Sequence, residues 1–132
     1  MRVMLVDDDA RMRQVLAKML ESAGMCVSHA LGDGEEALAR LDEIAHNGAL
    51  EKVDLIVTDC RMPRLDGIAF VTALRARGDT TPIIMLSGEH DPHMIVRAIK
   101  AGVNNYVPKP LNPQVFFEKI WQTMSAARAI AV

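Results

Sequence analysis

Val53-Asp54-Leu55-Ile56-Val57-Thr58-Asp59, continued by Cys60-Arg61-Met62-Pro63, is the stretch that decides the fold. Val53 to Thr58 is rich in β-branched and apolar residues and closes on an aspartate, the composition of a buried strand. Pro63 and Gly67 then shape a loop, and Ile68, Phe70, Val71 and Leu74 recur at helical spacing. A buried strand followed by a crossover helix is the repeating unit of a parallel sheet.

The same unit recurs on either side. Upstream, Val3 to Val6 is an apolar run stopped by Asp7, Asp8 and Asp9, followed by a helix marked by Met12, Val15, Leu16, Met19, Leu20 and Ala23 and ended by Gly24. Met25 to Ala30 is the second strand. Gly32-Asp33-Gly34 leads into a helix carrying Ala37, Leu38, Leu41, Ile44 and Ala45, and Asn47 and Gly48 loosen the chain after it. Downstream, Pro82 to Leu86 is the fourth strand and ends at Ser87. Asp91 caps the next helix with Pro92 at its first position, Met94, Ile95, Ala98 and Ile99 form its apolar side, and Gly102 ends it. Asn104 to Val107 is the last strand, and Pro108-Lys109-Pro110 is a rigid turn. Asn112 and Pro113 open a helix with Val115, Phe116, Phe117, Ile120, Trp121 and Met124.

Five strands alternating with five helices imply an α/β domain with a doubly wound parallel sheet and right-handed crossovers. The 132 residues suit one domain. Its body is assigned to residues 1–125, with 126–132 as the end of the last helix and a tail. With 15 basic and 17 acidic side chains, the net charge of -2 carries no general nucleic-acid footprint. No apolar stretch reaches the roughly 20 residues of a membrane span, and Cys26 and Cys60 lie in segments read as buried strand and strand edge. A cytoplasmic protein without disulfides is the expectation.

Asp7, Asp8 and Asp9 follow strand one, Asp59 strand three, Ser87 strand four and Lys109 strand five. Parallel strands lie about 4.8 Å apart, so these ends converge on one pocket beyond the carboxyl edge of the sheet. Clustered carboxylates require a proton or a cation, and an all-oxygen site suits Mg²⁺. A solvated loop with Asp9 capping the first helix is the plainer reading of the acidic run.

Val6-Asp7-Asp8-Asp9 with Arg13, Asp59-Cys60-Arg61-Met62-Pro63 with Asp66-Gly67, Ser87-Gly88, and Tyr106-Val107-Pro108-Lys109-Pro110 closely resemble bacterial two-component response-regulator receiver domains, single-domain chemotaxis regulators in particular. The resemblance implies a flavodoxin-like sheet of strand order 2-1-3-4-5. It implies that Asp59 accepts a phosphoryl group from a phosphohistidine donor, with Asp7, Asp8, Asp59 and the backbone carbonyl of Arg61 around Mg²⁺. Lys109 and Ser87 would attend the phosphoryl oxygens, Ser87 and Tyr106 would form the switch, and Lys109–Pro110 would be cis.

The partners so implied are a histidine kinase or histidine phosphotransfer protein, and a protein target on the fourth-helix and fifth-strand face, with a phosphorylation-dependent homodimer as a further outcome. No membrane, nucleic-acid or organic-cofactor contact is implied. Hydrolysis would be limited to the protein's own phospho-aspartate. The alternative is the isolated receiver half of a DNA-binding transcription regulator. A phosphatase of the haloacid-dehalogenase type wants an acid where Arg61 stands.

Three finer expectations follow from single residues. Met62 is placed in the loop, where it would touch a partner. Arg61 and Glu89 would pair over the pocket mouth, and His90 and His93 would be exposed. Adjacent helical residues diverge by about 100°, so Phe116, Phe117 and Trp121 cannot all face the sheet.

Overall fold

Each strand is followed by a helix along the chain: β1 (Arg2–Val6), α1 (Ala10–Ser22), β2 (Cys26–Leu31), α2 (Gly34–His46), β3 (Leu55–Asp59), α3 (Gly67–Ala76), β4 (Ile83–Ser87), α4 (Pro92–Ala101), β5 (Asn105–Pro108) and α5 (Pro113–Ala131). This computed structural model describes residues 1–50, 52–88 and 91–131, with side chains as far as Arg128. The strands form one parallel sheet of order β2-β1-β3-β4-β5. The order reverses between β1 and β3, where such sheets open a crevice beyond the strand ends.

Alternate residues of the strands feed two cores. Met4, Val6, Ile56, Cys60, Ile83 and Met85 pack with Phe70, Val71 and Leu74 of α3 on one face. Val3, Leu5, Leu55, Val57, Ile84 and Leu86 pack with Leu16, Leu20, Phe116 and Ile120 on the other. Phe70 and Phe116 are fully buried, one on each face. Each contributes about 1.5–3 kcal/mol of burial.

An aspartate or asparagine starts each helix. Asp9, Asp33, Asp66 and Asp91 accept from backbone N–H groups in the first turns of α1 to α4, and Asn112 accepts from Gln114 and Val115 at α5. Each such cap is worth about 1 kcal/mol. Gly67, the first residue of α3, admits no other side chain: a Cβ there would lie 2.2 Å from the Asp59 carbonyl oxygen.

Several positions differ from the sequence reading. β2 is an edge strand and only half covered, so Cys26 is exposed rather than buried. Val15 of α1 and Ile99 of α4 follow the helical spacing of the apolar stripes, yet they are 53% and 58% exposed. Met62 is buried in the α3-side core, because the Gly67 N–H returns to the Cys60 carbonyl at 2.8 Å and folds the loop inward. Among the aromatic residues of α5, Phe116 is buried, Phe117 is half-buried and Trp121 is 71% exposed. The helix itself runs unbroken to Ala131.

Candidate functional site

β1 and β3 end side by side, with Val6 paired to Thr58, and so bring Asp7 and Asp8 to Asp59. Carboxylate oxygens of Asp7, Asp8 and Asp59 all lie within 4.8 Å of one another. Asp9 does not join them; it caps α1 through the Arg11 and Met12 N–H groups. The plain reading of the acidic run thus holds for one residue of the three.

Asp7 is buried. Its Oδ1 accepts from the Asp9 N–H at 2.9 Å, while its Oδ2 has no hydrogen-bond partner among the described residues. The Arg13 guanidinium donates to the Asp7 carbonyl at 2.6 Å and steadies the backbone there. Burial pushes the Asp7 carboxyl above its ordinary pKa, Asp59 and Asp8 push the same way, and the Asp9 N–H and Lys109 oppose them.

Lys109 reaches the cluster from the end of β5. Its Nζ donates to Asp59 Oδ1 at 3.1 Å and lies 3.8 Å from Asp7 Oδ2. Asp59 Oδ1 also accepts from the Cys60 N–H at 2.9 Å. The Lys109 N–H donates to the Ser87 carbonyl at 2.8 Å, and the Lys109–Pro110 bond is cis.

Ser87 is fully buried at the end of β4. Asp59 pairs with Leu86, so Cys60 and Ser87 are the next neighbours across the strands. Burial pushes the Cys60 thiol up, partly offset by a hydrogen bond from the Ser87 side chain. Tyr106 is half-buried, stands opposite Met85 and packs against the α3-side core. Arg61 is exposed in the β3–α3 loop and lines an open hollow with Asp8, Met62, Pro63 and Asp66. Its expected partner Glu89, and His90, lie outside the described residues, whereas His93 is exposed.

Among the described residues, the three clustered carboxylates meet the Lys109 ammonium, and a buried Asp7 oxygen makes no hydrogen bond. An all-oxygen donor set with excess negative charge fits a hard divalent cation of the magnesium kind. What the sequence reading passed over is the support behind the cluster: the Arg13 bond to Asp7, the Ser87–Cys60 contact, and an ion pair between Arg64 and Asp33. Arg13 stands in the motif that carried the resemblance. For the other two, no local pattern gives a signal.

The family model of the response regulator receiver domain matches residues 3–121. The chain belongs to the receiver domain family. It is 37% identical to the chemotaxis protein CheY of Pseudomonas aeruginosa, over 91% of this chain and 93% of that protein. It is 36% identical to CheY1 of Helicobacter pylori, over 91% and 94%. The crystal structure of chemotaxis protein CheY4 of Vibrio cholerae superposes with a TM-score of 0.80 at 31% identity, covering 92% of this chain and 97% of that one.

As a receiver domain the chain acts in phosphorelay signalling, where it accepts a phosphoryl group rather than turning over a substrate. Its upstream partner is a histidine kinase or histidine phosphotransfer protein. Among the described residues, no helix is long and apolar enough to cross a membrane.

Proposed function

We propose that Asp59 is the phospho-acceptor and that Asp7, Asp8, Asp59 and the Arg61 backbone carbonyl hold Mg²⁺ beside it. One observation carries this reading: the Lys109 ammonium lies 3.1 Å from Asp59 Oδ1, at the mouth where the three carboxylates meet. Asp59 Oδ1 already accepts two hydrogen bonds, which leaves Oδ2 as the attacking atom. An Oδ2–P bond forms as the P–N bond of a phosphohistidine breaks, and the imidazole nitrogen leaves with the bonding pair. Bound Mg²⁺ supplies screening between the anionic nucleophile and the incoming phosphoryl group. Lys109 stabilises charge on the phosphoryl oxygens, and Ser87 donates a hydrogen bond to the product.

Ser87 and Tyr106 form the switch. A doubly charged product draws Ser87 from Cys60, and the Tyr106 ring follows into the space released. The output face is α4 with β5, where Val96 and Ile99 are 48% and 58% exposed. Residues 1–125 form the working domain, in the cytoplasm, and a phosphorylation-dependent homodimer would use the same face.

A second reading also has support. The chain is 38% identical to the transcriptional regulatory protein AruR of Pseudomonas aeruginosa, over 86% of this chain but 45% of that protein. A native reading frame with a DNA-binding module would make this chain a receiver half.

Heteronuclear NMR of the Mg²⁺-loaded protein with and without beryllofluoride, with Asp59→Asn as control, tests the primary reading. Shifts at Asp8, Asp59, Ser87 and Lys109 that reach Tyr106 and α4, and vanish in the control, are expected. A folded protein that fails to respond would refute acceptor chemistry at Asp59.

A further inference from the structure

The loop between β3 and α3 is tied down at a point outside the carboxylate cluster. Arg64 has φ 66°, and the Leu65 N–H donates to the Pro63 carbonyl at 2.8 Å. A hydrogen bond closing over one residue of positive φ makes a γ-turn of the rare, strained hand. Among the described residues, Arg64 is the one non-glycine in this conformation, and its Cβ adds to the strain.

Such strain persists only where the surroundings over-determine it. The Arg64 guanidinium pairs with Asp33 Oδ2. Asp33 is itself anchored, since its Oδ1 accepts from the Glu35 N–H at 2.7 Å and caps α2. Leu65 lies close against the same helix start, where a Cβ on Gly34 would come within 3.0 Å of the Leu65 carbonyl oxygen. At the far end, the Gly67 N–H holds the Cys60 carbonyl. Arg61, Met62 and Pro63 lie between these anchors and line the hollow beside Asp8.

An exposed ion pair alone contributes little. This one differs in that one partner is largely buried: the Asp33 side chain is 12% exposed against 67% for Arg64. We propose that Asp33 is a positioning residue, whose ion pair with Arg64 holds the strained turn and so keeps the Arg61 segment in place beside the cation pocket. The proposal rests on the magnesium reading of that pocket. In it, the start of α2 sets the cation affinity of a site to which it contributes no ligand.

Two substitutions separate the clamp from a bulk charge effect. Asp33→Asn retains a good helix cap and removes the charge. Arg64→Gly removes the ion pair but accepts positive φ without strain. The single variants, the double variant and the wild type are titrated with Mg²⁺, following the amide shifts of Asp8, Asp59 and Met62. Hydrogen exchange of the Leu65 amide is measured separately in EDTA.

Asp33→Asn is expected to weaken Mg²⁺ binding about five- to tenfold and to speed Leu65 exchange, the factor left-handed strain corresponds to. Arg64→Gly is expected to bind within about twofold of wild type, with no further loss from Asp33→Asn in that background. An equal loss in both backgrounds would show a through-space charge effect and overturn the clamp, as would an Asp33→Asn protein indistinguishable from wild type. Faster Leu65 exchange in Asp33→Asn, together with a wild type that binds no Mg²⁺, would uphold the held turn and overturn the cation reading instead.

Discussion

Asp7→Asn is expected to stabilise the cation-free protein, although it removes a residue of the site. Asp7 Oδ2 is buried without a hydrogen-bond partner among the described residues, and an unmatched buried acceptor costs about 1–3 kcal/mol. Charge does not repair this. At an effective dielectric of about 20, attraction to Lys109 at 3.8 Å is about 4 kcal/mol, and repulsion from each carboxylate, within 4.8 Å, is at least about 3.5 kcal/mol. Asp8 is exposed and its share is discounted, so repulsion and attraction roughly cancel and desolvation remains.

Asparagine keeps an oxygen for the Asp9 N–H and offers a donor to the neighbouring carboxylates. The expected gain is about 1–3 kcal/mol, or about 3–10 °C in Tm. The folded state holds the Asp7 proton more tightly than the unfolded chain, whose value is 3.8, so the ionised form is the destabilising one. The advantage of Asp7→Asn is therefore full above the raised pKa and shrinks as pH falls through it towards 3.8. Urea unfolding in EDTA across that range measures the gap. Mg²⁺ at about 100 times its Kd adds about 2.7 kcal/mol to the wild type and narrows or reverses it. A variant no more stable than wild type near neutral pH, or a gap indifferent to acid, would refute the reasoning.

Lys109→Ala removes the ammonium 3.1 Å from Asp59 Oδ1 and is expected to slow phosphorylation about 100-fold in quench-flow labelling with a small phosphodonor, without unfolding the domain. Gly67→Ala drives a Cβ to 2.2 Å from the Asp59 carbonyl oxygen; a loss of about 2–3 kcal/mol in urea unfolding is expected, and wild-type stability would contradict it. Arg75 donates to the carbonyls of Asp79, Thr81 and Gly102 and to Asn104 Oδ1, joining the end of α3 to the starts of β4 and β5. Arg75→Ala is expected to cost about 2–4 kcal/mol, and Arg75→Lys to recover less than half, because a single ammonium cannot span the fork; full recovery by lysine would show that charge rather than geometry matters.

The inner strands were legible because both faces are covered, which leaves apolar runs with a polar residue only where the strand meets the crevice. Asp59 and Ser87 stood out for that reason. The strand starts were less clear: β3 begins at Leu55 rather than Val53 because Asp54 turns its carboxylate to the Arg2 N–H at 2.7 Å, and β5 begins after Asn104 because that side chain accepts from the Ile83 N–H at 2.8 Å. Helical spacing placed Val15 and Ile99 inward because it marks a stripe without its width, and both lie at its margin. Met62 was misplaced since loop residues carry no periodicity, and only the Gly67–Cys60 contact turns it inward. The Arg64–Asp33 pair joins residues 31 positions apart with no repeating pattern between them.

Departures from local preference gather in one corner of the molecule. A buried carboxylate oxygen without a hydrogen bond among the described residues, a non-glycine residue at φ 66° and a glycine pressed against a carbonyl all lie at the ends of β1 and β3 or in the loop leaving β3. Elsewhere caps, cores and strand composition agree, which is the pattern of a fold that concentrates its conflicts where it works. Lys109 links this corner to the rest, because its side chain holds Asp59 while its own N–H holds the Ser87 carbonyl. With Asp59 as the acceptor, a phosphoryl group there would draw the Lys109 ammonium and the Ser87 hydroxyl together, and both pulls would act on the same pair of strand ends. Ser87 pairs with Pro108, and two rungs further along the same strands Met85 stands beside Tyr106. If Ser87 and Tyr106 are the switch, the change in charge would reach the one aromatic residue of β5 through two backbone steps.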